Sequence, residues 1–403
     1  MTLAESDFPT DVRVENEASR LLADNHQVTV VASQLTHQER TSCWHGIDIV
    51  RVPRLPTPLR QLHAGLRFRS HFNLHWFLAL RRLHRQKNFD VFHVHDLPLA
   101  GTALFLGRLV NRPIVLDFHE NYPVALQTYH PIPINFWQKL RHRAFYDLDR
   151  WRRYERNSVL AAAHVIAVVD EAKERLCHLG IAPERVTVVS NTLNIPHFEK
   201  FPISQDIITR LGDKFIISYV GSAARYRFIQ TIIKAMPSLL RSIPNAHFFV
   251  VGNADQHLSL QVLVKELGLN EYVTFTGWQP FSQIPSYIAA TTVGVLPHQP
   301  NEHTDNTIPH KLFQYMYYQK PVVVSNCAPL ARIVSETGCG LVCNADVEDA
   351  DAWAAAMISL HDPERRAQMG RRGRQAVLEK YNWRFDAERL AGIYRGLSEK
   401  LYQ

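Results

Sequence analysis

The chain has little that would cross-link or anchor it. Its 403 residues include five cysteines, Cys43, Cys177, Cys327, Cys339 and Cys343, an odd number without the spacing of a metal finger. Cys339 and Cys343 are close in sequence, but no second pair accompanies them, so free thiols in a reducing compartment are expected. No apolar run approaches the ~20 residues of a membrane-spanning helix. The longest, Leu74 to Leu80 and Val159 to Val169, are interrupted by His75 and His164. Asp7 and Asp11 break up the start of the chain and no apolar run of signal length follows, so a cytoplasmic location without a secretory signal is expected. No glycine precedes Gly46, which excludes a Gly-x-Gly-x-x-Gly turn after a first strand, and no Walker sequence occurs. Acidic residues are missing altogether between Arg51 and Phe89, where nine Lys or Arg residues fall.

What is present describes a globular protein of more than one core. Apolar residues make up 46% of the chain and charged residues 21%, and its length suits two domains of roughly 200 residues. The net charge of +7 is modest but unevenly placed. The acid-free stretch also carries Phe68, Phe72, Trp76, Phe77 and Leu80. Two readings remain open there: a helix that packs its apolar stripe on its own domain, or peripheral contact of residues 51–89 with an anionic membrane. No nucleic-acid module accompanies the charge, so nucleic acid is not an expected partner.

Short β-branched runs alternate with helical patterns from end to end. Strands are expected at Val28–Ala32, Ile47–Val52, Val91–His95, Ile114–Phe118, Val165–Val169 and Val186–Ser190. A second series falls at Phe215–Val220, Phe248–Val251, Val273–Thr276, Val293–Leu296, Val322–Ser325 and Leu341–Cys343. Unbroken apolar strands separated by helices imply parallel sheets covered on both faces. The class is α/β, with two doubly wound Rossmann-like domains. They divide near Ile195 to Asp213, as 1–200 and 201–380, with a final helix in 381–403 that could pack back on the first. Ligands of such sheets gather beyond the carboxyl ends of the strands, so a cleft between the domains is the expected site.

Candidate residues follow from that placement. Asn306 to Ser325 reads as a polar loop, a proline-started helix and a buried strand. Pro309 suits the first helical turn, Thr307 or Asn306 suits its cap, and the free amides beyond form an anion site beside His310 and Lys311. Gln314 lies one turn beyond His310 on the same face. Gly221 opens the loop after the first strand of the second domain, where Ser222 follows and Arg225 and Arg227 could meet phosphate. His298 and His303 are expected in loops, with His310 the histidine reaching the cleft. In the first domain His93, His95 and His119 mark strand ends. They are expected to contact a ligand, to be structural, or to hold a metal with Asp96 or Glu120. Asp11 reads as a helix cap ahead of Arg13, with acceptor contact as its other reading.

Taken in order, these segments resemble the retaining glycosyltransferases of the glycosyl transferases group 1 family, of GT-B architecture and bacterial surface-polysaccharide type. The residues that carry the resemblance are Asp11-Val12-Arg13-Val14 to Val30, Phe89 to Asp96, Asp117-Phe118-His119-Glu120, Val188 to Thr192, the Gly221 loop, Val250-Val251-Gly252 and Pro309 to Ser325. The resemblance implies transfer of a sugar from a nucleotide-diphosphate donor to a glycan or lipid-linked acceptor, with no metal and no cofactor beyond the donor. It assigns Arg227 to the diphosphate and His119 to the donor-sugar pocket. Where relatives often carry a basic residue after the loop glycine this chain has Ser222, so Arg225 or Lys311 must supply the charge. The acceptor side is implied for Asp11, Arg13, His95, Asp96 and Glu120. Two glutamates that contact sugar and ribose in many relatives fall here on Asn306 and Gln314, and Gln lacks the carboxylate's charge. A nucleotide-sugar epimerase and a non-catalytic partner subunit are the alternatives.

Overall fold

The structure is a computed structural model that describes residues 1–3, 6–9, 11–35, 38–57, 71–130, 135, 136, 139, 142, 145–224, 227–253 and 257–401. The chain divides into two compact units, Met1–Ser190 with Asp386–Gln403, and Asn191–Phe385.

The first unit is built on β1 (Thr2–Leu3), β2 (Thr29–Ser33), β3 (Thr41–Trp44), β4 (Ile47–Val52), β5 (Phe92–His95), β6 (Ile114–Phe118), β7 (His164–Ala167) and β8 (Val186–Val188). Its helices are α1 (Val12–Ala23), α2 (Leu74–Lys87), α3 (Ala100–Val110), α4 (Tyr122–Tyr129), α5 (Leu148–Ala161) and α6 (Asp170–His178). The strand order is β3-β4-β2-β1-β5-β6-β7-β8, parallel except that β3 runs against β4. β2, β5 and β6 are buried along their whole length, the signature of a sheet covered on both faces. From β1 the chain winds outward through β2 to one edge, then returns to β5 and winds to the other. The gap between β1 and β5 is therefore the topological switch point, where loops diverge and a crevice opens. β3 was not foreseen: its residues alternate between exposed and half-buried, so it carries no apolar run.

The second unit contains β9 (Phe215–Val220), β10 (Ala246–Val251), β11 (Val273–Gly277), β12 (Val293–Leu296), β13 (Val322–Ser325) and β14 (Gly340–Cys343). Its helices are α7 (Ile195–Phe198), α8 (Gln205–Leu211), α9 (Ile229–Ser242), α10 (His257–Glu266), α11 (Ile284–Ala290), α12 (His310–Tyr317), α13 (Ala328–Thr337), α14 (Ala350–Ile358) and α15 (Pro363–Glu379). The last helix, α16 (Trp383–Leu401), leads into the first unit's closing segment. This sheet is wholly parallel, in the order β11-β10-β9-β12-β13-β14. Ile217, Tyr219, Phe248, Val250, Val293, Val295 and Val323 form its core with Ile232, Ile233 and Met236 of α9. Its switch point lies between β9 and β12. The turn after β9 and the turn after β12 therefore open side by side.

Candidate functional site

In the second unit the loop after β9 begins at Gly221, whose φ of +116° belongs to the region that favours glycine. A Cβ there would lie 2.9 Å from Lys311 Nζ, so the absence of a side chain is what lets the lysine approach the backbone. Gly252, after β10, has φ +130°, and a Cβ on it would lie 2.4 Å from the Gly221 carbonyl oxygen. The two loops are thus packed backbone to backbone beside Lys311. The ammonium of Lys311 also sits 3.6 Å above the Tyr219 ring, a cation–π contact, while the Tyr219 hydroxyl donates to Ser222 O at 2.9 Å.

Arg227 closes the same loop. Its Nη1 lies 2.9 Å from His298 Nδ1 and 3.1 Å from Nε2, at the end of β12. Phe228, immediately after, holds φ +48°, an uncommon conformation for a bulky residue and a local strain at the loop's exit. Burial, with Arg227 and Lys311 adding to it, holds His298 well below the ordinary imidazole range. Burial and Arg227 bring His303 down to about 4. Both rings are therefore neutral near pH 7. Burial and then Arg227 likewise hold Lys311 well below the usual lysine range. A cation, a lysine whose charge burial holds down and two neutral imidazoles sit beyond these strand ends, and the chemistry that complements them is an anion.

Lys311 turns that arrangement into a pH effect. An anion bound beside the ammonium raises its pKa, so binding takes up a proton and affinity falls as pH rises through the region where the free protein's lysine deprotonates. Calorimetry of a nucleoside diphosphate in buffers of different ionisation enthalpy should show net proton uptake. Lys311→Arg, charged at every working pH, should abolish it; equal apparent enthalpies in all buffers for the wild type would exclude this role.

The start of α12 differs from the sequence expectation. Pro309 is not in the first turn but at the capping position, so neither Thr307 nor Asn306 is the cap residue. Its backbone is extended, with φ −80° and ψ 135°, and its carbonyl accepts from the Leu312 N–H at 3.2 Å, as a cap residue's carbonyl does. Asn306 instead belongs to a short turn and donates from Nδ2 to Glu302 O at 2.7 Å. Gln314 is buried on α12. His298 meets Arg227, and His310 is partly buried at the start of α12. Ser222 is exposed, and Arg225 lies outside the described residues.

In the first unit the strand-end histidines converge, but with different carboxylates from those expected. Asp117, fully buried on β6, is the hub. It accepts from Arg13 Nε at 3.1 Å and Nη2 at 2.6 Å, and its Oδ2 lies 3.1 Å from His95 Nδ1 and 3.4 Å from His119 Nε2. Arg13 is 3% exposed, with Nη1 donating to Val189 O and Nε 3.1 Å from Glu17 Oε1, so it braces the core rather than reaching toward an acceptor. Asp11 accepts from the backbone N–H of Arg13 and Val14 and caps α1. Glu120 accepts from the Tyr129 hydroxyl at 2.6 Å and takes no part in the cluster. A metal reading built on Glu120 therefore fails, while Glu17 and Asp117 enter the group in its place.

Asp96, directly after β5, has φ +59°, and its Oδ1 accepts from the His119 N–H at 3.2 Å. Burial opposes a charge on His119, but Asp96 and then Asp117 outweigh it and push the ring up to about 10. Arg13 and His119 overcome the same penalty for Asp117, which stays well below the carboxylate range. Burial, and next Asp117, push Glu17 well above it. Sequence reasoning had given Asp117, Glu17 and Tyr394 no role. An aspartate inside the apolar run Ile114–Phe118 was the available signal, since a buried charge requires partners.

The comparisons with known proteins agree with this architecture. The family described as "Glycosyl transferases group 1" matches residues 201–376, and that described as "Glycosyltransferase Family 4" matches residues 11–195. The chain is a glycosyltransferase whose residues 201–376 match the glycosyl transferases group 1 family. Among relatives of this glycosyltransferase is an alpha-D-kanosaminyltransferase of Streptomyces kanamyceticus, 25% identical over 86% of this chain and 88% of the relative. Sucrose-phosphate synthase from Thermosynechococcus elongatus superposes with a TM-score of 0.78 at 19% identity, over 99% of each chain. Anabaena HepE, solved in complex with UDP-glucose, gives 0.71 at 14%, over 98% of this chain and 99% of that one. These likenesses show a GT-B fold of two Rossmann-like domains. The epimerase and partner-subunit readings gain nothing from them.

Proposed function

We propose that this glycosyltransferase transfers a sugar from a nucleotide-diphosphate donor, with retention at the anomeric carbon, to a glycan or lipid-linked acceptor in surface-polysaccharide or glycoconjugate synthesis on the cytoplasmic side of the membrane. The observation that carries the reading is the pairing of Arg227 with Lys311 around Gly221, at a strand-end turn whose neighbouring histidines are held neutral and whose lysine an arriving anion would charge. A leaving diphosphate gathers negative charge at departure, and preorganised cations stabilise that charge more than the bound donor's. The N-terminus of α12, where Pro309 holds the cap position, adds its dipole. With that charge already countered, the reaction asks for no metal at the diphosphate. His119 in the first unit, held by Asp96 and Asp117, is the residue for the transferred sugar. The acceptor hydroxyl attacks on the face from which the diphosphate leaves.

Screening of nucleotide sugars by mass spectrometry, with the anomeric configuration of the product read by NMR, tests the reading. An α-linked product from an α-configured donor supports it; inversion, or turnover of none of the donors, overturns it. Gln314→Glu tests whether α12 meets a ribose hydroxyl. A charged acceptor should lower the donor KM about fivefold, and an unchanged KM would place Gln314 outside the site.

The acid-free stretch contributes a surface as well as a helix. Trp76, Phe77 and Leu80 of α2 are buried, as in the reading of a helix that packs its apolar stripe on its own domain; residues 58–70 lie outside the described part. Leu74 and Leu78 are exposed instead, alongside exposed Phe105 and Leu109 of α3, whose Phe105 ring stands 5.6 Å from Phe77. Arg82, Arg85 and Arg108 on the same helices are also exposed. Apolar side chains beside arginines suit an anionic bilayer surface. Flotation with phosphatidylglycerol vesicles should carry the protein at low salt and release it at high salt, and Leu78→Glu with Phe105→Glu should prevent it. No flotation at low salt would remove the membrane contact.

A further inference from the structure

We propose that Glu17, His93, His95 and Asp117 form a buried divalent-metal site, with zinc as the ion whose chemistry fits them best. The four residues come from α1, β5 and β6, beside the β1/β5 switch point, and one ligand atom from each lies within 4.8 Å of every other. His93 Nε2 is 3.6 Å from Glu17 Oε2 and 3.7 Å from Asp117 Oδ2, and His95 Nε2 is 4.0 Å from Glu17 Oε2. These separations are too long for hydrogen bonds. They are a few tenths of an ångström wider than the roughly 3.4 Å between donors of a tetrahedral zinc ion at about 2.1 Å.

Three of the four atoms that would face the ion are left without hydrogen bonds: His93 Nε2, His95 Nε2 and Glu17 Oε2 are fully buried with no hydrogen-bond partner, while Glu17 Oε1 faces Arg13 and Asp117 accepts from it. The other nitrogen of each imidazole is engaged: His93 Nδ1 by the Tyr394 hydroxyl at 2.8 Å, and His95 Nδ1 by Asp117 and His119 at 3.1 Å. That division, one nitrogen oriented by a neighbour and the other turned to a common point, is how metal-ligating histidines are held. Buried polar atoms without partners are rare enough to need a reason, and His93 Nε2, His95 Nε2 and Glu17 Oε2, which approach one another, have a shared one.

Zinc takes histidine in its neutral form and carboxylates as anions. Two imidazoles with two carboxylates suit zinc better than magnesium or calcium, which prefer all-oxygen shells. The ion would clamp α1 to β5 and β6 and, through His95 and Asp117, fix the orientation of His119. It would be structural and apart from the diphosphate chemistry of the second unit.

The full-length chain, purified without a histidine tag, stripped with chelator and dialysed, is titrated with zinc against a chromophoric chelator, and its melting is followed with and without one equivalent of zinc. One zinc bound per chain with an upward Tm shift is expected, and the cobalt-substituted protein should show the visible bands of a low-symmetry site. Glu17→Gln and His93→Gln, checked for folding by circular dichroism, should each weaken zinc binding about tenfold or more. Absence of zinc binding by the wild type at micromolar metal overturns the proposal, as does undiminished binding by both folded variants. The wild-type titration decides the matter even if a variant does not fold.

Discussion

Arg227→Ala is expected to lower donor turnover by roughly two to three orders of magnitude while leaving the fold intact. The guanidinium is placed by neutral His298, which accepts from Nη1, and by the strained turn at Phe228. It is only partly buried, and the contact with His298 is an edge of the site rather than of the core, so its loss costs little stability. The missing charge cannot be replaced from solvent at the moment the diphosphate leaves, because water must reorient where the arginine is already in position. Steady-state kinetics with the preferred donor separate the two ways this could fail. A fall in kcat with little change in KM means that the arginine acts on the developing charge, whereas a rise in KM alone means uniform binding of donor. Wild-type values for both would remove Arg227 from the site. Lys311 compensates only in part, since burial, the larger cause of its lowered pKa, remains when Arg227 is gone.

Arg13→Met should destabilise the first unit by about 3–5 kcal/mol. Methionine fills the volume, but Asp117 and Glu17 are then buried without their cation, and the Val189 carbonyl loses its donor. Urea denaturation followed by a probe in the first unit would show the midpoint falling with an unchanged slope. Adding Asp117→Asn to Arg13→Met should recover part of the loss, because the stranded charge goes with it. A single-variant loss below about 1 kcal/mol would mean that solvent or another cation reaches Asp117, and the buried pair would not be the bracing described.

Most strands of both sheets could be read in advance because buried parallel strands are rich in β-branched and aromatic residues; β9, β10 and β13 are buried along their full length. β3 escaped because an antiparallel edge strand with alternate residues in solvent has no such run. Gly221, Arg227 and Lys311 were found from their place just beyond strands, a rule of topology rather than of contact. His298 was noticed only as a loop histidine, since nothing local says that the turn after β12 opens beside the turn after β9. Pro309 was put one residue too far into its helix because proline is compatible with both positions.

Arg13 and Glu17 mark the limit of such reading. Spaced i, i+4 on α1, they have the pattern of a solvated ion pair, yet both are buried. The order of apolar runs, loops and charges along the chain was enough for the α/β class, the two domains and the loops that carry cations, because each depends on local periodicity and on which strand a turn follows. The partnership of Arg13, Glu17, His93, His95 and Asp117 depends instead on three segments far apart in sequence being brought together at one switch point. Electrostatic and hydrogen-bonding interactions fall off within a few ångströms, so partners 100 residues apart become a site only when packing has closed the distance.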